Sequence, residues 1–146
     1  KMILWNGYCH VHHNITEEKV KEARNENPDA KIIVHPECKH EIVKMCDGAG
    51  STTYLIKAVE NSDKNTKWVI GTEYNLVQRL KEKFTDRDIK ILDVESVCTN
   101  MNKTTLENLC EILEDILKGD YSKQITVDRQ TAEEAVKALD TMLSLS

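Results

Sequence analysis

In the stretch WNGYCHVHHN, residues 5–14, one cysteine and three histidines fall between Cys9 and His13. Thiolate and imidazole are the ligands that zinc and iron prefer, and an ordinary surface loop has no structural need for so many of them. Spacing limits a purely local site. A strand-to-helix turn points neighbouring side chains in different directions. Cys9, His10, His12 and His13 therefore cannot all reach one ion, and further ligands must come from elsewhere in the chain. The alternative is a buried cysteine beside polar loop histidines.

Three more segments carry chemistry. VHPEC (34–38) ends an apolar run and sets His35 and Glu37 at the carboxyl edge of a strand, where open α/β sheets bind ligands. A histidine and a glutamate across a rigid proline can act as acid and base, or orient a substrate; a solvated strand-end histidine beside a helix-capping glutamate is the other reading. GAGSTT (48–53) puts glycines and hydroxyls before a helix, whose N–H donors and dipole suit an anion such as phosphate or carboxylate. It lacks the Walker pattern GxxxxGK[ST], and the same letters also serve as a turn and N-cap. Cys98, in ESVCTNM, follows a further apolar run and so belongs near the same edge. Cys38, Cys46 and Cys110 lie on helical segments and read as structural.

The elements that must position these residues are legible as period and punctuation. AKIIVH (30–35), KWVIGTE (67–73) and IKILDV (89–94) read as short buried strands. Helices are predicted over 16–27, capped by Thr16 and stopped at Pro28, over 38–47 ending at Gly48, and over 52–60 and 73–84. Beyond Cys98 come a helix over 104–119 stopped by Gly119, a short strand-like QITVD (124–128) and a last helix from Arg129. Helices alternating with buried strands over short connections predict an α/β fold, a three-layer αβα domain with a parallel sheet of about four strands. The opening KMILWNG reads as the middle of a strand, so the chain is expected to be the C-terminal part of something longer.

Composition narrows the class. Of the 146 residues, 40% are hydrophobic and 31% charged, with a formal net charge of −5. Such a field repels phosphate backbones, and the lysines are scattered among acids, so no nucleic acid is expected as a partner. No apolar run approaches the roughly 20 residues that cross a bilayer, so no membrane is expected either. Five cysteines with no CxxC pair point to a reducing, cytoplasmic compartment.

WNGYCHVH, PDAKIIVHPEC, GST before a helix, VIGTE and CTNMNKTTLENL, in that order and with these intervals, resemble the C-terminal half of the quinolinate synthase (quinolinate synthetase A) family over residues 3–117. The resemblance implies a transferase of NAD biosynthesis that condenses iminoaspartate with dihydroxyacetone phosphate to quinolinate, with a functional link to L-aspartate oxidase. It implies three similar α/β domains about a pseudo-threefold axis, each giving one cysteine to a 4Fe-4S cluster. Cys9 matches the second of those cysteines and Cys98 the third. Three thiolates leave the fourth iron open as a Lewis acid. By the same resemblance His12 binds a substrate carboxylate, His35 and Glu37 bind substrate and move protons, and Ser51 and Thr52 form an anion site. Glu73 of GTE is an orienting group, and His10 and His13 stay outside the first contacts.

On this reading, residues 1–97 form one α/β domain and 98–146 a segment of a second similar domain, with the N-terminal domains absent. The first cluster cysteine has no match, so the chain is expected to hold a cluster poorly and to need the N-terminal half of the enzyme for activity. Readings from other classes are an α/β interaction module without metal, and a zinc hydrolase using Cys9 and His12, for which no HExxH is present.

Overall fold

Alternation inside the apolar runs decides the layering. The computed structural model describes residues 5–145. Among these residues four strands, β1 (Lys31–Val34), β2 (Gly48–Ala49), β3 (Lys67–Gly71) and β4 (Asp88–Ile91), form one sheet of order β2-β1-β3-β4, with every pairing parallel. Successive side chains of a strand point to opposite faces. Ile32, Val34 and Val69 join Val20 and Ala23 of helix α2 (Glu17–Glu26) and Ile42 of α3 (His40–Met45) in one core layer. Ile33, Trp68, Ile70 and Ile89 join Leu55 and Val59 of α4 (Thr52–Glu60) and Val77 and Leu80 of α5 (Tyr74–Lys83) in the other. Ile32, Val34, Leu55, Val59 and Ile70 are all 0% exposed. Burial on that scale stabilises by about 1.5–3 kcal/mol per side chain. The expected three-layer αβα arrangement is the observed one.

Side-chain caps start the helices. Thr16 Oγ1 accepts from the Lys19 N–H at 3.4 Å, and Ser51 Oγ from that of Tyr54 at 3.3 Å. Each satisfies a first-turn donor that the helix cannot.

Two expectations need correction. Gly48 does not stop the preceding helix; with Ala49 it forms the edge strand β2, paired with Ile33 and Val34. Asp47 explains this: its N–H donates to the Ile32 carbonyl and its carboxylate accepts from the Ile32 N–H, both at 2.7 Å, drawing the following residues alongside β1. QITVD does not form a strand, and its Ile125 and Val127 are 90% and 62% exposed. A strand needs a neighbour to pair with, and local propensity supplies none. Of the strand expected within KMILWNG, residues 5–7 are exposed and form no strand, and residues 1–4 lie outside the described residues.

The chain divides into two compact units after Asn102, so Cys98 lies in the first. The second holds α6 (Leu106–Leu117), capped by Thr105, and α7 (Arg129–Ser144), capped by Asp128. Gly119, at φ +77°, ends α6: its N–H donates to Ile116 O at 3.0 Å and that of Asp120 to Asp115 O at 2.9 Å. This paired closure uses the left-handed conformation that glycine adopts without strain. Neither helix contains a buried residue among those described. Leu106, Leu109, Leu113 and Ile116 make an exposed apolar stripe on α6, and Cys110 is exposed with them. No described helix is long and apolar enough to cross a membrane.

Candidate active site at the switch point of the sheet

Sheet order fixes where a crevice opens. From β1 the chain turns into α3 and then β2 on one side of the sheet order; from β3 it turns into α5 and then β4 on the other. The loops leaving the carboxyl ends of these neighbouring strands diverge, which is the position where open α/β sheets hold ligands. Val34 pairs with Gly71, so His35 and Thr72 are the first residues beyond the paired strands, and the His35 N–H donates to Gly71 O at 3.0 Å. Gly71 has no room for a side chain: a Cβ there would lie 2.7 Å from Val34 Cγ1 and 2.8 Å from Leu92 Cδ2.

The short helix α1 (His10–His13) buries Val11 and His12. His12 has partners for both ring nitrogens: Nδ1 lies 3.0 Å from Glu37 Oε2 and Nε2 lies 3.0 Å from Thr72 Oγ1. Its ring stacks on His35, with centroids 4.3 Å apart and planes 14° from parallel. Burial, then the neighbouring His35, pulls the His12 pKa below its ordinary value, against the opposing pull of Glu37. The neutral ring thus donates from Nδ1 to the Glu37 carboxylate and accepts the Thr72 hydroxyl proton at Nε2. In His35, Nδ1 accepts the Glu37 N–H at 3.3 Å, which leaves the proton of its neutral form on Nε2.

A depressed histidine pKa makes folding sensitive to acid. The unfolded chain takes up the His12 proton first, near pH 6.5, so stability is full above that value. It falls as pH drops from there to the lower folded value. His12→Gln should flatten this slope; urea unfolding of the metal-free protein at about pH 7.5 and about pH 5.5 measures it.

The other expected positions surround this cluster. Cys9 caps α1 without a side-chain cap bond, and its sulfur, a His12 ring nitrogen and a Glu37 carboxylate oxygen lie within 4.8 Å of one another. Gly50 donates its N–H to Val34 O at 3.1 Å, holding the loop before Ser51 and Thr52 against the end of β1. Both residues are exposed at the start of α4. Cys98 is partly exposed on the loop after β4, and its N–H donates to Glu73 Oε1 at 3.4 Å. His10 is exposed, and His13 stacks on Tyr8 at 4.1 Å. Burial pushes the Cys38 thiol up to about 12 and that of Cys46 up to about 11. Both therefore stay protonated at neutral pH, which suits packing better than ligation.

Sequence reasoning missed Thr72 as the partner of His12 and the contact between His12 and Glu37. The signal was present: KIIVH and WVIGT, set side by side as parallel strands, place HPE beside GTE.

A family model described as "Quinolinate synthetase A protein" matches residues 1–144. The chain is 42% identical over 147 residues to the quinolinate synthase of Staphylococcus carnosus (strain TM300), covering 100% of this chain and 40% of that protein. It is 43% identical over 147 residues to that of Listeria monocytogenes serotype 4b (strain F2365), with the same coverage. It is 44% identical over 144 residues to that of Bacillus cereus (strain AH187), covering 98% of this chain and 39% of that protein. The chain thus spans about 40% of the length of the curated relatives it matches.

Proposed function

The chain belongs to the quinolinate synthetase A family, and on that premise we propose that it carries part of the active site of a quinolinate synthase. The reaction would be condensation of iminoaspartate with dihydroxyacetone phosphate, completed by residues from the remainder of the enzyme. The observation that carries this reading is the meeting of Cys9, His12, His35, Glu37 and Thr72 at the sheet's switch point.

The donor set fits an iron-sulfur cluster in kind. Cys9 and Cys98 are partly exposed residues outside the paired strands, and neither belongs to the core layer that takes in Cys38 and Cys46. A 4Fe-4S cluster held by these thiolates, with a third from the remainder of the enzyme, would supply a Lewis-acidic iron for the dehydration. The chain's own residues have separate tasks. His12, kept neutral by burial, donates from Nδ1 to the Glu37 carboxylate and accepts from the Thr72 hydroxyl at Nε2, so a substrate carboxylate reaches the Nδ1–H by replacing Glu37. His35 offers a proton at Nε2, and Glu37, whose side chain is 55% exposed, is open to accept one. Ser51, Thr52 and the first turn of α4 receive an anionic group, a phosphate or a carboxylate.

The test is purification of the full-length enzyme without oxygen, followed by metal, sulfide and product analysis. About four irons per chain, and quinolinate from the two substrates, are expected. A protein that stays metal-free and inactive after reconstitution leaves the interaction module. A second reading has one divalent ion at Cys9, His12 and Glu37, which their mutual 4.8 Å spacing favours; it predicts a single metal ion and no sulfide.

A further inference from the structure

Glu73 is the N-cap of α5 and is 7% exposed. Its Oε2 accepts from the N–H groups of Asn75 at 2.8 Å and Leu76 at 3.3 Å. Its Oε1 accepts from Asn75 Nδ2 at 3.0 Å and from the Cys98 N–H at 3.4 Å. Every partner is a donor, which an acceptor-only carboxylate matches and an amide cannot. Two further bonds tie the same pair of segments: Tyr74 N–H to Ser96 O at 2.8 Å and Asn75 Nδ2 to Asn102 Oδ1 at 3.1 Å.

Glutamate is an uncommon choice for this task. Aspartate, serine, threonine and asparagine cap helices best, because a short side chain folds back onto the first-turn N–H groups. A cap alone gives no reason for the longer residue. The extra methylene carries the second oxygen to the Cys98 backbone. Thr72, one position earlier, holds His12 of the helix that Cys9 caps. The adjacent pair at the end of β3 thus reaches both cysteine-bearing loops.

We infer that Glu73 is a positioning residue for Cys98, fixing through its backbone N–H the loop that presents the thiolate to the cluster. The inference rests on the ligand assignment proposed above. Loss of a group that orients a metal ligand weakens metal retention by about 10- to 100-fold.

Glu73→Asp separates capping from positioning, because aspartate caps α5 at least as well but falls short of Cys98. In the full-length enzyme this variant should melt at the wild-type temperature when metal-free, yet when loaded release iron to a chelator about 10-fold faster or more. In the metal-free protein its Cys98 N–H should exchange with solvent faster, a readout independent of bound iron. Glu73→Gln should behave alike: its carbonyl keeps the helix bonds while its NH2 group faces the Cys98 N–H. Wild-type iron retention and Cys98 exchange in both variants would overturn the inference. Cys98→Ala distinguishes the causes of failure. If it loses iron while the Glu73 variants do not, positioning alone is wrong; if it keeps the cluster, the ligand assignment and the inference fall together.

Discussion

Cys98→Ala in the full-length enzyme is expected to remove the brown absorbance, the bound iron and quinolinate formation together. The loss should exceed the roughly 10- to 100-fold that removal of an outer partner causes. Cys9→Ala should do the same. Unfolding would not account for either result. Cys98 belongs to neither core layer, and the Cys9 side chain makes no cap bond. Truncating them therefore removes little buried surface, and the melting temperature of the metal-free protein should barely move. Cys110→Ala, at an exposed position of α6, should leave iron and turnover unchanged. The Cys98 variant also decides between a cluster and a single ion. A site built from Cys9, His12 and Glu37 does not need Cys98, so retention of one metal ion with no sulfide in Cys98→Ala would overturn the cluster. Metal and sulfide analysis of the purified variants makes the comparison.

What the sequence shows of the fold is what period and punctuation encode. Ile32, Ile33 and Val34 belong to a buried run with side chains on both faces, and Thr16 and Ser51 announce helix starts; all are local signals. Gly48–Ala49 is too short to show a period, and its place beside β1 depends on bonds between Asp47 and Ile32, 15 positions apart. QITVD has strand propensity but no partner strand among the described residues, and propensity alone does not hold a strand. The site divides along the same line. His35 and Glu37 are legible because a strand end and a proline define them within a few residues. The partners of His12 lie 25 and 60 positions away, and their meeting depends on β1 and β3 being neighbours at the reversal of strand order. Glu73 was legible as a motif residue, but its bond to Cys98 spans 25 positions and required the loop after β4 to be in place.

His35→Ala separates proton transfer from metal binding. The variant should keep its full complement of iron, because His35 is neither one of the thiolates proposed to hold the cluster nor part of the Cys9–His12–Glu37 donor group. Its kcat should fall by about 10²- to 10⁴-fold, the usual worth of a positioned acid or base. The geometry gives the reason. His35 Nδ1 is engaged by the Glu37 N–H, which directs its proton to Nε2, and the ring is held by stacking on a neighbour that stays neutral. Alanine removes that proton and the positive charge that the ring can carry. The second effect reaches His12, whose pKa His35 helps to lower. With the neighbour gone His12 takes up its proton nearer its ordinary value, so the acid-induced loss of stability below about pH 6.5 should be smaller than in the wild type. Glu37→Gln should also slow turnover, but it retains the oxygen that accepts from His12 Nδ1 and the backbone N–H that His35 accepts, so both rings should stay in place. Normal kcat in His35→Ala, measured as quinolinate formed at saturating substrates, would remove the histidine from the chemistry and leave Glu37 as the chain's own proton carrier.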